Sequence, residues 1–423
     1  MFADERDLDP AGGQSTAGDR HESESAPLPP VSARSILDIV DPFVAAARVK
    51  PDARTLIWYD KGHDTLAAAI AEKCEALGAD VFLHQRDFDR DVAEAMTLSV
   101  LEIPQILLPQ KQAVARAEHV LLLRGPRDPE IINQLDKERR DAYMQGMSEA
   151  HAPRTEGKVP WILTLPPTEA DAVVERMPFE RYFDIYAKAC NQNWPLIRER
   201  QQILVERLNC ADTITLRANM GDPDLRRRTE VRMSIRGMTF VNSTVDQNFP
   251  GSETFSAPVL DSVEGQIFAP GVHVYHGLRM QDLYLRIEKG VIVEARAEVG
   301  DELLQEILSR GVGARRFGEV ALGTNPGLLD RVVNTLLAEK RAKSFHMAIG
   351  HCYEYDRYMG IPVNVNNGNG KKFTSVHWDI VVPMDEEVGG GEVLVDEGTA
   401  SEELIQRNGL FQRPELCVLN PPE

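Results

Sequence analysis

The sequence predicts two domains, an α/β N-terminal domain with a parallel sheet and an α+β, β-rich C-terminal domain. Three observations lead to this prediction. Short apolar runs alternate with helical segments in the first half, the order typical of βαβ units and a parallel sheet. In the second half, short β-like runs follow one another with few helical segments between them. The length of 423 residues also exceeds what one ordinary core needs.

The N-terminal domain is predicted to cover residues 35–205. Residues 1–34, rich in Asp, Glu, Ser, Gly and Pro, are predicted to form a disordered acidic tail, because they cannot bury enough apolar surface to offset the entropy of ordering. Ser35 is predicted to cap the helix in "SILDIVDPFVAAARV". The strand "RTLIWYD", a helix that ends at Gly78 and the strand "VFLHQ" follow. The alternation of strands and helices continues with the strand "AEHVLLLRG", a further helix and the strand "VPWILTLP". A long helical stretch at residues 179–209 follows.

The C-terminal domain is predicted to cover residues 206–423. Short β runs such as "TITLRAN", "SETFSAP" and "LYLRIEKGVIVEARAEVG" occupy residues 211–300. Two helical stretches are then predicted, "ELLQEILSRG" and "PGLLDRVVNTLLAEKRA". The strands "SFHMAIGHCY" and "SVHWDIVV" follow.

Composition narrows the class of protein. A net charge of −19 argues against a nucleic-acid or anionic-membrane partner. Five scattered cysteines without a CxxC spacing fit a reducing cytosol and give no thiolate zinc site. The first residues lack the basic and apolar regions of a secretory signal, and no apolar stretch is long enough for a membrane span. We therefore expect a cytoplasmic protein.

The run "SVHWDIVV" places two polar side chains on one face of an apolar strand. His377 and Asp379 are two residues apart, so both point to the same side while Trp378 points to the other. Polar groups aimed together from an apolar strand need a partner. A hydrogen bond within the pair explains them if no other residue joins them.

Further carboxylates and imidazoles recur in the C-terminal half within apolar or Gly/Pro-framed segments. They are Glu253, Glu319, Glu339 and His346. Taken alone, Glu339 also fits a solvated helix charge and His346 a core histidine. Together with His377 and Asp379 they would form a crowded anionic cluster, which a pair of divalent cations can compensate. Oxygen ligands with a minority of imidazoles suit Zn²⁺, Co²⁺, Mn²⁺ or Mg²⁺, and two such ions can activate a water and polarise a carbonyl.

Five blocks of the C-terminal half resemble the thermophilic-type, leucyl-aminopeptidase-like family of dinuclear metallo-aminopeptidases. The blocks are "NFPGSETFSAP", "FGEVALGTNPG", "NTLLAEK", "HMAIGHCY" and "SVHWDIV", in the order and near the spacing of the family. The resemblance implies an enzyme that releases N-terminal residues from peptides, commonly as a homodimer, with two divalent metal ions. The C-terminal domain is then the catalytic, metal-binding domain.

The resemblance also implies roles for individual residues. The implied metal ligands are Glu253, Glu319, Glu339, His346, His377 and Asp379. Glu319 is the implied bridge between the ions and a catalytic residue. Tyr353 matches the active-site tyrosine of the family, where a phenol can donate to the oxyanion of a tetrahedral intermediate. By itself Tyr353 would be interpreted as a packed tyrosine. The chain departs from the family at Ala338, where members usually have an acid.

Three other functions stay open at this point. A non-haem Fe(II) ring-cleaving dioxygenase of the dihydroxypyridine type resembles the same scaffold and would use two histidines and one carboxylate. A small-molecule amide hydrolase would use the same centre on a non-peptide substrate. A non-catalytic binding protein would have lost ligands, whereas all six implied positions are retained.

Overall fold

The strands of the chain form three larger sheets and a two-stranded ribbon. This computed structural model describes residues 35–125, 131–155, 157–275, 277–398 and 402–422. The tail predicted for residues 1–34 lies outside these ranges. Within them, no helix combines the length and apolar character needed to cross a membrane.

The N-terminal half is built on a five-stranded parallel sheet, which confirms the predicted α/β architecture of this region. In spatial order its strands are β2 (Asp80–Arg86), β1 (Arg54–Asp60), β3 (His119–Leu123), β4 (Trp161–Thr164) and β8 (Asn248–Phe249). The central strand β3 is buried along its whole length, as a strand covered on both faces must be. Strand β8 comes from beyond the boundary predicted at residue 205, so both halves of the chain contribute to this sheet.

Eight α-helices occur in the described part of the N-terminal half. They are α1 (Val40–Ala47), α2 (Asp64–Ala76), α3 (Phe88–Thr97), α4 (Leu108–Arg116), α5 (Lys137–Thr155), α6 (Glu169–Glu175), α7 (Phe179–Cys190) and α8 (Trp194–Asn209). Ser35 caps the 3-10 turn that leads into α1, because its hydroxyl accepts from the N–H of Leu37. Gly78 follows α2 at a φ of 89°, a left-handed conformation that ends a helix readily. Both features agree with the sequence.

The long helical stretch expected at residues 179–209 is two helices, so that expectation is wrong. The chain leaves α7 after Cys190 and starts α8 at Trp194. Asn193 caps α8, since its side-chain oxygen accepts from the N–H of Leu196 at 3.2 Å. Pro195 lies in the first turn, where its missing N–H leaves no hydrogen bond unmade.

The C-terminal half is dominated by two antiparallel sheets, in agreement with its predicted β-rich character. The larger sheet contains β12 (Val291–Val299), β11 (Leu278–Glu288), β10 (Glu264–Tyr275), β6 (Thr229–Ser234), β5 (Thr213–Ala218), β18 (Gly391–Asp396), β19 (Glu403–Arg407) and β20 (Leu410–Phe411). The smaller sheet contains β17 (His377–Pro383), β14 (Ser344–Gly350), β13 (Phe317–Gly323), β9 (Glu253–Ser256) and β7 (Val241–Ser243). The remaining elements are α9 (Asp301–Leu308), α10 (Thr335–Ala338), β15 (Arg357–Tyr358) and β16 (Ile361–Pro362).

Most of the second helical stretch predicted in this half is not helical. Within residues 326–342 only α10 forms. The backbone N–H groups of Val333 and Asn334 donate to the buried carboxylate of Glu175, each at 2.7 Å, instead of to carbonyls one turn earlier. A tertiary hydrogen-bond acceptor thus replaces the helical one.

A buried ion pair joins the carboxyl ends of β1 and β2. Arg86 binds Asp60 through two hydrogen bonds of 2.6 and 2.9 Å, and both side chains are almost fully buried. The N–H of Gly125 donates to the same carboxylate at 2.9 Å. The guanidinium groups of Arg86 and Arg124 outweigh the effect of burial and hold the pKa of Asp60 below its ordinary value.

Removal of the Arg86 charge should therefore destabilise the N-terminal sheet. In Arg86→Met, Asp60 stays buried without its bidentate partner, which should lower the free energy of unfolding by about 3–5 kcal/mol. The matched control is Lys137→Met, which breaks the exposed ion pair with Asp141. This variant should change the free energy of unfolding by less than about 1 kcal/mol. Chemical denaturation of both variants measures the difference. Equal losses in the two variants would contradict this role of the pair.

Candidate metal centre

The smaller antiparallel sheet brings the six predicted ligands to one place. Glu253 begins β9, Glu319 lies in β13, His346 in β14, and His377 and Asp379 lie in β17. The sixth residue, Glu339, directly follows α10. Neighbouring strands of one sheet therefore supply five of the six side chains.

Small residues in the pairing register make room for this cluster. Ala348 of β14 pairs with Glu319 on one side and with Asp379 on the other. Gly323 pairs with Glu253, and Gly350 with His377. Because paired residues project to the same face of a sheet, a larger side chain at Ala348 would occupy the space between Glu319 and Asp379. A side chain at Gly323 would instead meet the backbone of the segment that carries Glu339, and one at Gly350 would meet the backbone of Val376.

The side chains form three overlapping triads whose ligand atoms lie within 4.8 Å of one another. The triads are Glu253–Glu319–His346, Glu319–His377–Asp379 and Glu339–His346–Asp379. The Nε2 atom of His346 lies 3.4 Å from Glu319 and 3.5 Å from Glu253. The Nε2 atom of His377 lies 3.3 Å from Glu319 and 3.9 Å from Asp379. Glu319 thus lies between the two imidazoles.

Several polar atoms of the cluster are buried without a hydrogen-bond partner. They are Oε2 of Glu253, Oε2 of Glu319, Nδ1 of His346, Nε2 of His377 and Oδ1 of Asp379. Buried polar atoms in native proteins nearly always have a partner, so a group of orphaned atoms in one place calls for an explanation such as an ion. Carboxylate oxygens and imidazole nitrogens are the donors that divalent transition metals accept. The residues present therefore fit a divalent ion.

The backbone fixes the tautomer of His377. Its Nδ1 lies 2.7 Å from the carbonyl oxygen of His351, which can only accept, so Nδ1 carries the proton. In the neutral imidazole the lone pair is then at Nε2, the atom that faces Glu319. Trp378 is buried on the opposite face of β17 and donates to the carbonyl of Val274 at 3.1 Å. The alternation inferred from the sequence is thus the one observed.

The carboxylates change the protonation of both imidazoles. Burial lowers the pKa of His346, but the hydrogen bond to Glu319 and the charge of Asp379 outweigh burial and raise the pKa to about 9. Burial likewise lowers the pKa of His377, and contact with Glu319 and Asp379 raises it to about 10. The two imidazoles in turn hold the pKa of Glu319 well below its ordinary value, although burial acts in the opposite direction.

Lys340 is a member of the cluster that sequence reasoning missed. It is 2% exposed, and its ammonium lies 2.5 Å from Glu253 and 2.7 Å from Glu339. Burial raises the pKa of each of these glutamates to about 7 in spite of the ammonium. Adjacent charges such as Glu339 and Lys340 usually indicate a solvated helix face. The apolar run before them was the only sign of burial in the sequence.

Tyr353 lies at the edge of the cluster. The centroid of its ring is 5.1 Å from that of His377 and 5.4 Å from that of Phe255. Burial and the nearby charge of Glu319 raise the pKa of Tyr353 well above its ordinary value. The phenol therefore keeps its proton and remains a hydrogen-bond donor.

The other histidines and cysteines that the structure describes in this half lie outside the three triads. Nε2 of His273 lies 3.1 Å from the carbonyl oxygen of Ala269, and Nδ1 of His351 lies 3.1 Å from that of Cys352. His276 is outside the described residues. The thiol of Cys352 is buried and donates to Asn366. None of these four residues is among the ligands that the family resemblance implies.

Comparison with known proteins gives a family and a fold. The profile of the family described as thermophilic metalloprotease (M29) matches residues 43–411. The chain is 35% identical to Aminopeptidase T of Thermus thermophilus, in an alignment that covers 36% of this chain and 37% of the relative. It is 29% identical to Aminopeptidase AmpS of Bacillus subtilis, in an alignment that covers 38% of this chain and 40% of the relative. These alignments span well under half of either relative. The solved structure of wild-type AmpT from Thermus thermophilus superposes with a TM-score of 0.69 at 20% identity, over 88% of this chain and 98% of that one. This likeness shows a shared fold.

The raised pKa values of His346 and His377 predict how the stability of ion-free protein depends on pH. A pKa that folding raises adds stability below the ordinary value of about 6.5, and that stability is lost as pH rises through the folded value. In chelator-treated protein, the free energy of unfolding should thus fall as pH rises from about 7 to about 10, by up to about 1.4 kcal/mol per pH unit for each imidazole.

Denaturation at several pH values tests this dependence. His377→Gln should reduce the slope, because one of the two titrating groups is gone. His84→Gln changes an imidazole on β2, outside the cluster, and should keep the slope of the unmodified chain. A slope that His377→Gln leaves unchanged would contradict the assignment.

Proposed function

Because the chain belongs to the thermophilic metalloprotease family M29, we propose that it is a metal-dependent aminopeptidase that releases N-terminal residues from peptides. The observation that carries this proposal is the group of orphaned donor atoms at one end of a rigid sheet. Family membership supports peptide-bond hydrolysis, and the donor set supports metal binding.

We assign the ligand role to the six clustered residues. They are Glu253, Glu319, Glu339, His346, His377 and Asp379. Their overlapping triads offer enough donors for two divalent ions, with Zn²⁺, Co²⁺ and Mn²⁺ as the candidates. Glu319 belongs to two triads and is the proposed bridging ligand. When bound in such a site, divalent ions make a water ligand more acidic and polarise a carbonyl group.

Side chains and one backbone carbonyl of the site then orient the ligands and transfer protons. The carbonyl of His351 keeps His377 in the tautomer whose lone pair faces the centre. Glu319, whose Oε2 atom has no hydrogen-bond partner, is the proposed acceptor of the proton from the attacking water. The protonated phenol of Tyr353 is the proposed donor to the carbonyl oxygen as that oxygen gains negative charge.

The charge of the cluster also favours a substrate with a free N-terminus. Four carboxylates face one buried ammonium and two imidazoles that must be neutral to bind a metal. With neutral imidazoles and one divalent ion bound, the site keeps one net negative charge, and an excess of negative charge in a buried site attracts the α-ammonium of a peptide. A substrate with an acetylated N-terminus lacks this charge and should be a poor one.

The competing dioxygenase mechanism needs two histidines and one carboxylate around a single iron. None of the three triads found among the described residues contains both imidazoles. A small non-peptide amide could be cleaved by the same groups as a peptide, so substrate tests should include both kinds. The homodimeric assembly and the cytoplasmic location expected from the sequence stay predictions.

Loss of one carboxylate charge at the centre should abolish activity. Glu319→Gln keeps the size of the side chain but weakens metal binding, and hydrolysis of aminoacyl-p-nitroanilides should fall by more than roughly 100-fold, since even the partners of metal ligands contribute 10–100-fold. The matched control is Glu302→Gln, an exposed glutamate on α9, which should keep full activity. Chelation should inactivate the unmodified chain, and one of Zn²⁺, Co²⁺ or Mn²⁺ should restore its activity.

Two results would contradict the proposed function. One is hydrolysis that persists in Glu319→Gln or after complete removal of metal. The other is oxygen uptake with a dihydroxypyridine in the presence of Fe²⁺ and no turnover of any peptide or aminoacyl substrate.

A further inference from the structure

Lys340 places a permanent positive charge inside the candidate metal centre. Its ammonium lies 2.5 Å from Oε1 of Glu253 and 2.7 Å from Oε1 of Glu339. Fully buried lysines are rare in proteins unless they are paired. Here both partners belong to the proposed ligand set, so the lysine neutralises charge on two of the carboxylates that an ion would use.

The backbone around Lys340 holds the ammonium in this place. The Lys340 carbonyl accepts from the N–H of Asn325 at 3.0 Å, and its own N–H donates to Leu337 at 3.1 Å. The next residue, Arg341, is anchored by Asp385 at 3.0 Å. With the main chain fixed on both sides, the side chain can leave the carboxylates only by changing its own rotamer.

The lysine does not affect the three triads equally. It touches Glu253, which belongs to the first triad, and Glu339, which belongs to the third. Its ion pairs with Glu253 and Glu339 include no member of the second triad, Glu319–His377–Asp379. The donors of this second triad include two of the orphaned atoms on β17, Nε2 of His377 and Oδ1 of Asp379. The second triad is therefore the one that is ready to receive an ion.

We propose that Lys340 acts as a built-in cation that makes the two ion positions of the centre unequal. One divalent ion binds tightly at Glu319, His377 and Asp379. A second ion at Glu253 and Glu339 must either bind beside the ammonium or displace it, and therefore binds weakly. This inference rests on the proposed metal centre and adds to it the number and order of the ions that it holds.

Electrostatics explains why the second position is weak. An ion that enters beside Lys340 meets either the repulsion of the ammonium or the loss of two short ion pairs in a buried setting, where charge interactions are strong. With neutral imidazoles, one bound ion and the ammonium leave one net negative charge on the four carboxylates. A second ion would reverse the sign. The state with one ion is thus the one that attracts the α-ammonium of a substrate.

Metal content tests this inference without any measurement of activity. The full chain is stripped with a chelator, titrated with Zn²⁺ in a calorimeter, then gel-filtered and analysed for zinc. The unmodified chain should retain one zinc ion and bind a second at least roughly ten-fold more weakly. Lys340→Met keeps much of the side-chain length without the charge and should retain two. Lys343→Met removes the same charge three residues along the chain and should retain one.

The outcomes separate the two proposals. Two equally tight ions in the unmodified chain, or one retained ion in a folded Lys340→Met, would overturn the role of Lys340 and leave the metal centre intact. No zinc binding at all would overturn the metal centre itself. If Lys340→Met does not fold, the titration of the unmodified chain still decides between one tight ion and two.

Discussion

The structure of the C-terminal half depends on one constraint, the burial of four carboxylates within a few ångströms of one another. Like charges in a poorly solvated place repel strongly, so each carboxylate must be protonated, paired or bound to a cation. The chain supplies one ammonium, from Lys340, and two imidazoles that the carboxylates keep basic. Five donor atoms are still left without a partner. A divalent ion would satisfy these atoms and would also offset the negative charge of the carboxylates.

Both halves of the chain support the centre. Gln201 of α8 donates to the backbone carbonyl of Glu253 at 2.6 Å, and its side-chain oxygen accepts from Ser252 and Thr324 at 2.5 Å each. Glu175 of α6 holds the segment that leads into α10 and Glu339. The N-terminal helices therefore fix two of the segments that carry the ligands. A substitution in α6 or α8 can therefore shift the segments that carry the ligands, although the substituted residue contacts no ion.

The sequence predicts the features that depend on neighbouring residues. It does not predict those that depend on hydrogen bonds or ion pairs with residues far away in the chain. The alternation in β17 and the Gly78 helix end follow from neighbouring residues, and both are observed. The apolar positions within 326–342 have a helical spacing. Two of the N–H groups that a helix would use nevertheless donate to the buried carboxylate of Glu175. Lys340 looked like a solvated charge because its two partners are a neighbour and a residue 87 positions away. Such long-range pairing leaves no local signal.

The central claim is that Glu319 and its neighbours hold a divalent ion. Anomalous diffraction from crystals grown with Zn²⁺, recorded on both sides of the zinc edge, tests it most directly. We expect an anomalous peak in contact with Glu319, Nε2 of His377 and Asp379, and a weaker or absent peak beside Lys340. A structure with no peak at these three residues, although zinc is bound elsewhere in the chain, would contradict it.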